Sequence, residues 1–166
     1  MAEFPVNPYR QDPYKGFKFQ VVWDGRVVAG VSKVSPLLRR TEVIEHRDGA
    51  SPSHSVKSPG RTSFEPITLG RGITHDPAFE EWANQVYSTQ GDAAMSLRNL
   101  RKDVLLRLLN EQGTVVMAYQ LYRCWVSEYA ALPELDANEA VTAIERLVLV
   151  TEGWQRDLAV TEPAQT

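Results

Sequence analysis

Residue types that commonly catalyse reactions or bind metals are few and scattered in this sequence. The three histidines, His46, His54 and His75, lie in separate segments and lack the paired spacing of a zinc site. Acidic pairs such as Glu80–Glu81 lie among polar residues, which is typical of solvated carboxylates rather than of a catalytic acid and base. The residues therefore predict no catalytic, cofactor-binding or metal site.

Two further features carry weak chemical signals. The stretch GRGITHD, Gly70 to Asp76, has two glycines but lacks the Lys–Ser/Thr ending of a phosphate-binding loop, so it is interpreted as a turn leading into a helix. If the protein were an enzyme, His75 and Asp76 would be its best candidate residues. The single cysteine, Cys124, has no partner for an internal disulfide and is predicted to be a small buried hydrophobic residue.

Length and composition indicate one globular domain. The chain has 166 residues, of which 43% are hydrophobic. No apolar run approaches the ~20 residues of a membrane-spanning helix, and the N-terminal residues lack the basic-then-apolar order of a signal peptide. We therefore expect a soluble protein made in the cytoplasm, without membrane insertion.

The charge is unevenly distributed along the chain. Residues 1–75 contain 11 basic and 7 acidic residues, whereas residues 76–166 contain 7 basic and 14 acidic residues. The basic excess is small and scattered and accompanies no recognised nucleic-acid motif, so no specific nucleic-acid binding is predicted. Complementary surfaces between copies of the chain would explain the asymmetry equally well.

The chain is organised around residues 114–131, a run of β-branched, aromatic and aliphatic residues that predicts a long strand. Both of its faces are largely apolar, which indicates cover by its own domain on one side and by something else, such as another copy, on the other. Eighteen residues would extend over roughly 60 Å, so the strand must bend, break or project. Its candidate interface residues are Tyr119, Leu121, Arg123 and Trp125.

Several shorter strands are predicted around this one. Asp24–Gly25 suits a type I′ turn within a hairpin whose second arm contains Val27, Ala29 and Val31. The other predicted strands are a lightly buried one at 41–47, one at 61–69 that Pro66 restricts to an edge or a bulge and the following glycines end, and a last one at 143–152. Residues 97–109 fit a helix or a strand, and a strand from about Asp103 to a turn at 110–113 is favoured.

One helix and one long loop complete the prediction. The helix has Asp76 as its cap and Pro77 at its first position, should stop near Gly91, and turns Phe79, Trp82 and Val86 towards the core.

The stretch from Asp48 to Gly60 is rich in Pro, Gly and Ser and predicts a long loop, and a short helical turn is possible from Leu135. The predicted domain organisation is an extended arm at 1–15, a single β domain at 16–157 and a flexible tail at 158–166.

Five stretches together resemble a known family. They are FKFQVVWDGRVVAGVSKVS at 17–35, TEVIEHRDG at 41–49, KSPGRTSFEPITLGRGITHDPAFEEWAN at 57–84, YRCWVSEYAALPELDAN at 122–138 and EGWQRD at 152–157. In this order they are similar to the tail tube proteins of contractile-tailed bacteriophages and of extracellular contractile injection systems.

The resemblance implies a mainly β (α+β) fold, an antiparallel β-sandwich or β-barrel subunit with one flanking helix. It implies homohexameric rings that stack into a hollow tube inside a contractile sheath. The implied partners are other copies, the sheath protein, baseplate or hub and tube-initiator proteins, and a cargo or effector in the lumen. Assembly in the bacterial cytoplasm, as part of a phage tail or of a particle that may leave the cell, is implied in the same way.

The resemblance also assigns roles to segments. The central strand would line the lumen together with strands of neighbouring subunits, and the 48–60 loop would contact adjoining subunits or rings. The candidate inter-subunit or ring-stacking residues are Arg47, Asp48, His54, Lys57 and Arg61. A tube-initiating or baseplate-adaptor ring on the same fold is the alternative function, and an enzyme is a distant third.

Overall fold

The fold is seen in a computed structural model that describes residues 13–16, 18–50, 53–87 and 98–163. Most of the predicted N-terminal arm, the predicted helix end at Gly91 and the last three residues of the predicted tail lie outside this range. The described residues form ten strands and one helix. In chain order these are β1 Phe19–Trp23, β2 Arg26–Val27, β3 Val31–Val34, β4 Arg39–His46, β5 Val56–Phe64, β6 Ile67–Gly72, α1 Ala78–Ala83, β7 Lys102–Leu109, β8 Val115–Ala130, β9 Ile144–Val150 and β10 Gly153–Arg156.

The expectation of a mainly β fold with antiparallel sheets and one helix is confirmed. Eight strands form one sheet in the order β2-β1-β7-β8-β9-β6-β3, with β10 added alongside β8, while β4 and β5 pair separately. Within the described part of the chain, β2 and β3 end this order without pairing with each other, so a single subunit forms no closed barrel.

The long strand β8 confirms the prediction for residues 114–131, and it bends as its length requires. Lys102 pairs with Cys124 and Val104 with Leu121, so β8 has one more residue than β7 between these two pairs. Arg123 takes up the extra residue in a left-handed conformation (φ 50°), and its N–H donates to the Asp103 carboxylate at 3.0 Å. This β-bulge bends the strand. Its first half therefore pairs with β7 and β10, and its second half with β9.

The hydrophobic core lies between the sheet and α1. Trp23, Phe79 and Trp82 form its aromatic centre, with ring centroids 4.8 Å apart for Trp23–Trp82 and 5.8 Å apart for Trp23–Phe79. The Trp82 indole N–H donates to the Leu100 carbonyl at 3.0 Å. The helix is therefore held against the sheet by packing and by a part-buried hydrogen bond to the segment that leads into β7.

The helix is shorter than predicted. It covers six residues, has Pro77 rather than Asp76 at its N-cap position, and ends at Ala83. Asp76 still accepts a hydrogen bond from the Ala78 N–H at 3.1 Å. Beyond the helix, backbone hydrogen bonds connect residue i to residue i−3: the Val86 N–H donates to the Ala83 carbonyl at 3.2 Å. Val86 therefore lies half-buried in a turn and not on the helix.

The prediction of the first hairpin is correct for its turn and wrong for its second arm. Asp24 (φ 53°) and Gly25 (φ 73°) have the two positive φ angles of a type I′ turn. The returning strand β2 then ends after two residues, because Gly30 (φ 76°) turns the chain away. Val31 consequently begins β3, which pairs with β6.

The predicted loop from Asp48 to Gly60 is wrong over its last five residues. β5 begins at Val56 and pairs with β4, so the connection covers only residues 47–55. Pro59 is tolerated because β5 pairs on one side only among the described strands. The predicted strand at 61–69 is divided by Glu65 and Pro66, and β6 continues through Gly70 to Gly72.

The last part of the sheet contains one strand that the sequence did not reveal. β9 matches the predicted strand at 143–152, but β10 follows it and pairs with β8. The expected helical turn at Leu135 is absent from the described chain, which has only a hydrogen-bonded turn at Ala137–Asn138 in this connection.

Candidate assembly site

The strands β4 and β5 form an exposed two-stranded ribbon, the β4–β5 ribbon. All eight residues of β4 are exposed, including Val43 and Ile44 at 65% and 51%. Thr41 and Thr62 share a hydroxyl hydrogen bond of 2.9 Å across the ribbon. An isolated two-stranded hairpin is marginally stable in water at best. The ribbon therefore exposes apolar side chains and free backbone edges that a partner could cover.

The base of the ribbon is fixed to the sheet by aromatic contacts. The Phe64 ring packs edge-on against Trp154 at 5.7 Å, and Trp154 packs in the same way against Tyr119 at 5.8 Å. The Arg39 guanidinium lies 5.9 Å from the Trp154 ring centroid. The ribbon thus has an anchored base and a solvent-exposed tip.

The predicted ring-stacking residues all lie on the ribbon or its tip and are all exposed. Arg47, Asp48 and His54 belong to the tip. Lys57 lies in β5 and pairs with Glu45 of the same ribbon at 3.7 Å. Arg61 lies within β5, beside the bulge opposite β4, and not at the edge of a loop.

The predicted interface or lumen residues of β8 do not share one face. Leu121 is 2% exposed and belongs to the core, so its assignment to an interface is corrected. Tyr119 and Trp125 are half-buried, and Arg123 is exposed and pairs with Glu152 at 2.7 Å. The bulge at Arg123 separates these residues because it breaks the period-two alternation on which the prediction rested.

Sequence reasoning missed a buried ion pair between β6 and β9. Arg71 is 0% exposed, faces Glu145 in the strand register, and donates its Nε–H to the Glu145 carboxylate. Its other nitrogens donate to the Asp76 carbonyl at 2.5 Å, to the Asp76 carboxylate at 3.3 Å and to the Ala29 carbonyl at 3.4 Å. The guanidinium also lies 4.2 Å from the Phe79 ring centroid. Arg71 therefore connects β6, β9, the turn before α1 and the turn before β3.

A signal for this pair was present in the sequence. Glu145 alternates with Leu147 and Leu149, both of which are fully buried, so it lies on the inward face of β9. A carboxylate on such a face needs a cationic partner. Arg71, between two glycines at the end of a strand, was interpreted only as part of a turn.

One half-buried group, the Tyr129 hydroxyl, and one buried group, the Cys124 thiol, have raised pKa values. Burial, and secondly the hydrogen bond to Glu145, raise the pKa of Tyr129 to about 12, and the Tyr129 hydroxyl donates to the Glu145 carboxylate at 3.1 Å. Burial raises the pKa of the Cys124 thiol to about 11. Both groups are therefore protonated at neutral pH. The prediction that Cys124 is a small buried residue is confirmed.

These pKa values predict a loss of stability at alkaline pH. The pKa of each group is higher in the folded state than in the unfolded state. The stabilisation that each group contributes is therefore complete below its unfolded-state pKa and is lost as the pH rises through its folded-state pKa. We expect the contribution of Cys124 to be lost between about pH 9 and 11 and that of Tyr129 between about pH 10 and 12. Urea unfolding at pH 8 to 12 measures this, and the pH dependence should be smaller in Cys124→Ala and Tyr129→Phe than in the exposed control Tyr122→Phe. An equal pH dependence in all three variants would contradict the attribution of this loss of stability to Cys124 and Tyr129.

The described residues contain no cluster of three or more His, Cys, Asp or Glu side chains that could hold a metal ion. Within the same ranges, no helix has the length and apolar character needed to cross a membrane. The chemistry that the described surface offers is that of strand edges, exposed apolar side chains and ion pairs, which is the chemistry of subunit contacts.

The chain is similar in fold to proteins of contractile injection systems. A chain in the structure of the anti-feeding prophage tube-terminating cap is 25% identical, with a TM-score of 0.74 and coverage of 91% of this chain and 95% of the other. A chain in the extended sheath–tube complex of the extracellular contractile injection system PVC is 23% identical, with a TM-score of 0.72 and coverage of 89% and 93%. A chain of the anti-feeding prophage baseplate is 18% identical, with a TM-score of 0.72 and coverage of 89% and 97%.

Sequence comparison gives the family. No curated protein sequence matches the chain. The profile of one family, described as T4-like virus tail tube protein gp19, matches residues 15–155, which is most of the chain and contains the β4–β5 ribbon and all of the sheet except Arg156. This protein belongs to the T4-like virus tail tube protein gp19 family.

Proposed function

We propose that this protein is the inner-tube subunit of a contractile injection system or phage tail. Its copies form hexameric rings, and the rings stack into a hollow tube inside a contractile sheath, through which a cargo or effector passes. Within the family, the observation that carries this proposal is the β4–β5 ribbon, which is exposed along all of β4 yet anchored at its base. Such a ribbon is a suitable surface for a neighbouring subunit to bind. No enzymatic step is part of the proposed function.

The open ends of the sheet support lateral assembly. β2 and β3 are the terminal strands of the described sheet, and β10 pairs with β8 on one side only. Unpaired strand edges bind further strands readily, and closed rotational symmetry covers every such edge with the same partner edge. In the proposed ring, neighbouring copies continue the sheet around the lumen.

Charge supports contacts between rings. Arg47 at the ribbon tip and Arg61 in β5 are exposed basic residues, whereas residues 76–166 contain twice as many acidic as basic residues. Each exposed ion pair contributes only about 0–1 kcal/mol, so stacking depends on the repetition of such contacts around the ring. The proposed sheath, baseplate and initiator partners bind the assembled tube, which forms in the bacterial cytoplasm.

Electron microscopy of the purified full-length protein tests this function. Negative-stain images across a range of protein concentrations should show rings and stacks of rings with a central channel. A protein that stays monomeric at every concentration, alone and with the sheath protein added, would contradict the proposal.

Shortening the ribbon tip should impair stacking more than folding. The six residues Ala50–Ser55 are replaced by a shorter Gly–Ser linker. Residues 48–55 contain a single hydrophobic residue, Ala50, so burial within the subunit cannot offset the roughly 1–2 kcal/mol per residue needed to order the backbone. We expect an unchanged melting curve for the subunit and shorter tubes in micrographs.

The salt dependence of the unaltered protein is the control for this variant. In the unaltered protein, rising salt should dissociate stacks before rings, because exposed charge pairs are screened more strongly than apolar strand contacts. Tubes of normal length from the shortened protein would show that the tip does not govern stacking. Strong protection of residues 48–50 from hydrogen exchange in the isolated subunit would likewise contradict the idea.

A second candidate function is a terminal ring, either a cap or an initiating adaptor next to the baseplate. The observation that favours it is the 25% identity and 0.74 TM-score to a chain in the structure of a tube-terminating cap. A terminal ring would form single rings, or would bind the ends of preformed tubes without lengthening them. Stacks formed by the purified protein alone would exclude this candidate.

A further inference from the structure

The connection between β8 and β9 exposes large apolar side chains that its own subunit does not cover. It extends over residues 131–143, all of which the structure describes, and it contains turns but no helix or strand. Leu132, Leu135 and Val141 within it are 64%, 69% and 75% exposed. Irregular connections longer than about 12 residues are uncommon in a compact domain and are usually functional. We call this segment the β8–β9 connection, and its apolar side chains are available to a partner.

The β8–β9 connection is also acidic. It contains three acidic residues and no basic residue. Glu134 and Glu139 are exposed, and neither forms an ion pair with a described residue. Asp136, in contrast, accepts a hydrogen bond from the Asn138 N–H at 2.9 Å and thereby shapes the turn. A surface that covers the connection should therefore be both apolar and basic.

The β4–β5 ribbon has these two properties. Val43 and Ile44 expose more than half of their surface, and residues 39–64 contain five basic and three acidic residues. Arg47 and Arg61 are exposed, and neither forms an ion pair with a described residue. The ribbon therefore offers two free cations beside exposed apolar side chains, where the connection offers two free carboxylates beside exposed apolar side chains.

The two surfaces leave the sheet at opposite ends of β6. The ribbon ends at Phe64, shortly before β6 begins at Ile67. The connection ends at Ala143, whose carbonyl accepts a hydrogen bond from the Ile73 N–H at 3.1 Å, just beyond the other end of β6. The six residues of β6, at about 3.3 Å each, separate these ends by roughly 17 Å. Complementary surfaces at opposite ends of a subunit give a head-to-tail contact, which can repeat from copy to copy.

We propose that the β8–β9 connection of one copy binds the β4–β5 ribbon of a second copy in the adjoining ring. The exposed leucine and valine side chains of the connection pack on the apolar side chains of β4, and its two free glutamates lie against Arg47 and Arg61. The inference rests on the proposed function, because it takes a second ring as the source of the second copy. It adds to that function the surface that receives the ribbon.

Disulfide trapping between two differently labelled copies tests this contact. In a Cys124→Ala background, an isotope-labelled Val43→Cys protein is mixed with an unlabelled Leu135→Cys protein and oxidised mildly. The control mixture contains Leu158→Cys instead of Leu135→Cys, because Leu158 is 74% exposed and lies outside the connection. Mass spectrometry measures the rate at which mixed disulfides form. We expect this rate to be about tenfold higher with Leu135→Cys, because docked copies hold the two thiols at a high effective concentration.

Two results of the trapping experiment would overturn the proposal. Equal rates in the two mixtures would mean that the ribbon does not prefer the connection. Links predominantly between two Val43→Cys copies would assign the ribbon to another ribbon. Mixed links are counted whether or not tubes form, so tubes with equal rates would reject this contact alone. Fast mixed linking by a protein that forms no tubes would reject the proposed function alone.

Charge reversal gives a second measurement that leaves the apolar surfaces unchanged. Arg47→Glu/Arg61→Glu reverses the free charges of the ribbon, and Glu134→Lys/Glu139→Lys reverses those of the connection. Circular dichroism melting curves first establish that both variants are folded. Each variant alone should self-associate at least about tenfold more weakly in sedimentation velocity, because like charges then face each other.

An equimolar mixture of the two charge-reversed variants is the decisive sample. In the mixture, the acidic ribbon of one variant meets the basic connection of the other, and the basic ribbon meets the acidic connection. We therefore expect the mixture to regain the association of the unaltered protein. A mixture that associates as weakly as the separate variants would overturn the head-to-tail contact.

Discussion

Replacing Trp82 with alanine should lower the free energy of unfolding by about 3–5 kcal/mol. Trp82 is 1% exposed, packs against Trp23 with centroids 4.8 Å apart, and donates a hydrogen bond to the Leu100 carbonyl. Alanine removes the largest fully buried side chain of the core and leaves a cavity and an unsatisfied carbonyl. Urea denaturation followed by circular dichroism at 222 nm measures the effect.

The control for this variant is Glu81→Ala on the exposed side of the same helix. It changes stability little, because surface substitutions away from specific contacts usually lie within about 0.5 kcal/mol of neutral. A Trp82→Ala protein as stable as the Glu81→Ala protein would mean that α1 does not cover the core in solution.

The second large effect is expected at the buried ion pair. Arg71→Met leaves the buried Glu145 carboxylate without its cation and should cost about 3–5 kcal/mol of unfolding free energy. The turn before α1 also loses the hydrogen bonds that Arg71 donates to Asp76. We therefore expect reduced stability and, in the native protein, faster hydrogen exchange in residues 73–78.

A double-mutant cycle separates the ion pair from the packing. Arg71→Met combined with Glu145→Leu places two apolar side chains where two charges were, which in other proteins has been neutral or stabilising. The double variant should be more stable than Arg71→Met alone. Additive losses in the cycle would show that Arg71 acts through packing on Phe79 and through Asp76 rather than through Glu145.

The sequence was most informative where a local rule acts alone. The type I′ turn at Asp24–Gly25 requires only two residues that tolerate positive φ, and the strand 115–130 has no residue that interrupts it. The resemblance to tail tube proteins was likewise specific, because five stretches matched in order, and the family match over residues 15–155 confirms it.

Three of the failures share one physical cause, which is stabilisation by partners elsewhere in the chain. β5 has no apolar face, yet it forms because β4 supplies its hydrogen bonds. The predicted faces of β8 beyond Leu121 were wrong because Asp103 holds Arg123 in a bulge, which breaks the period-two alternation. Glu145 is buried only because Arg71 lies opposite on another strand. None of these partners can be identified from a local pattern.

The proline in β5 has a consequence for the unassembled subunit. Pro59 has no N–H to donate, and it interrupts the strand edge between the charged residues Lys57 and Arg61. Prolines and lysines on an edge strand disfavour uncontrolled strand addition of the kind that leads to amyloid. The ribbon can therefore expose Val43, Ile44 and Val56 to solvent with less risk of uncontrolled strand addition at the edge of β5.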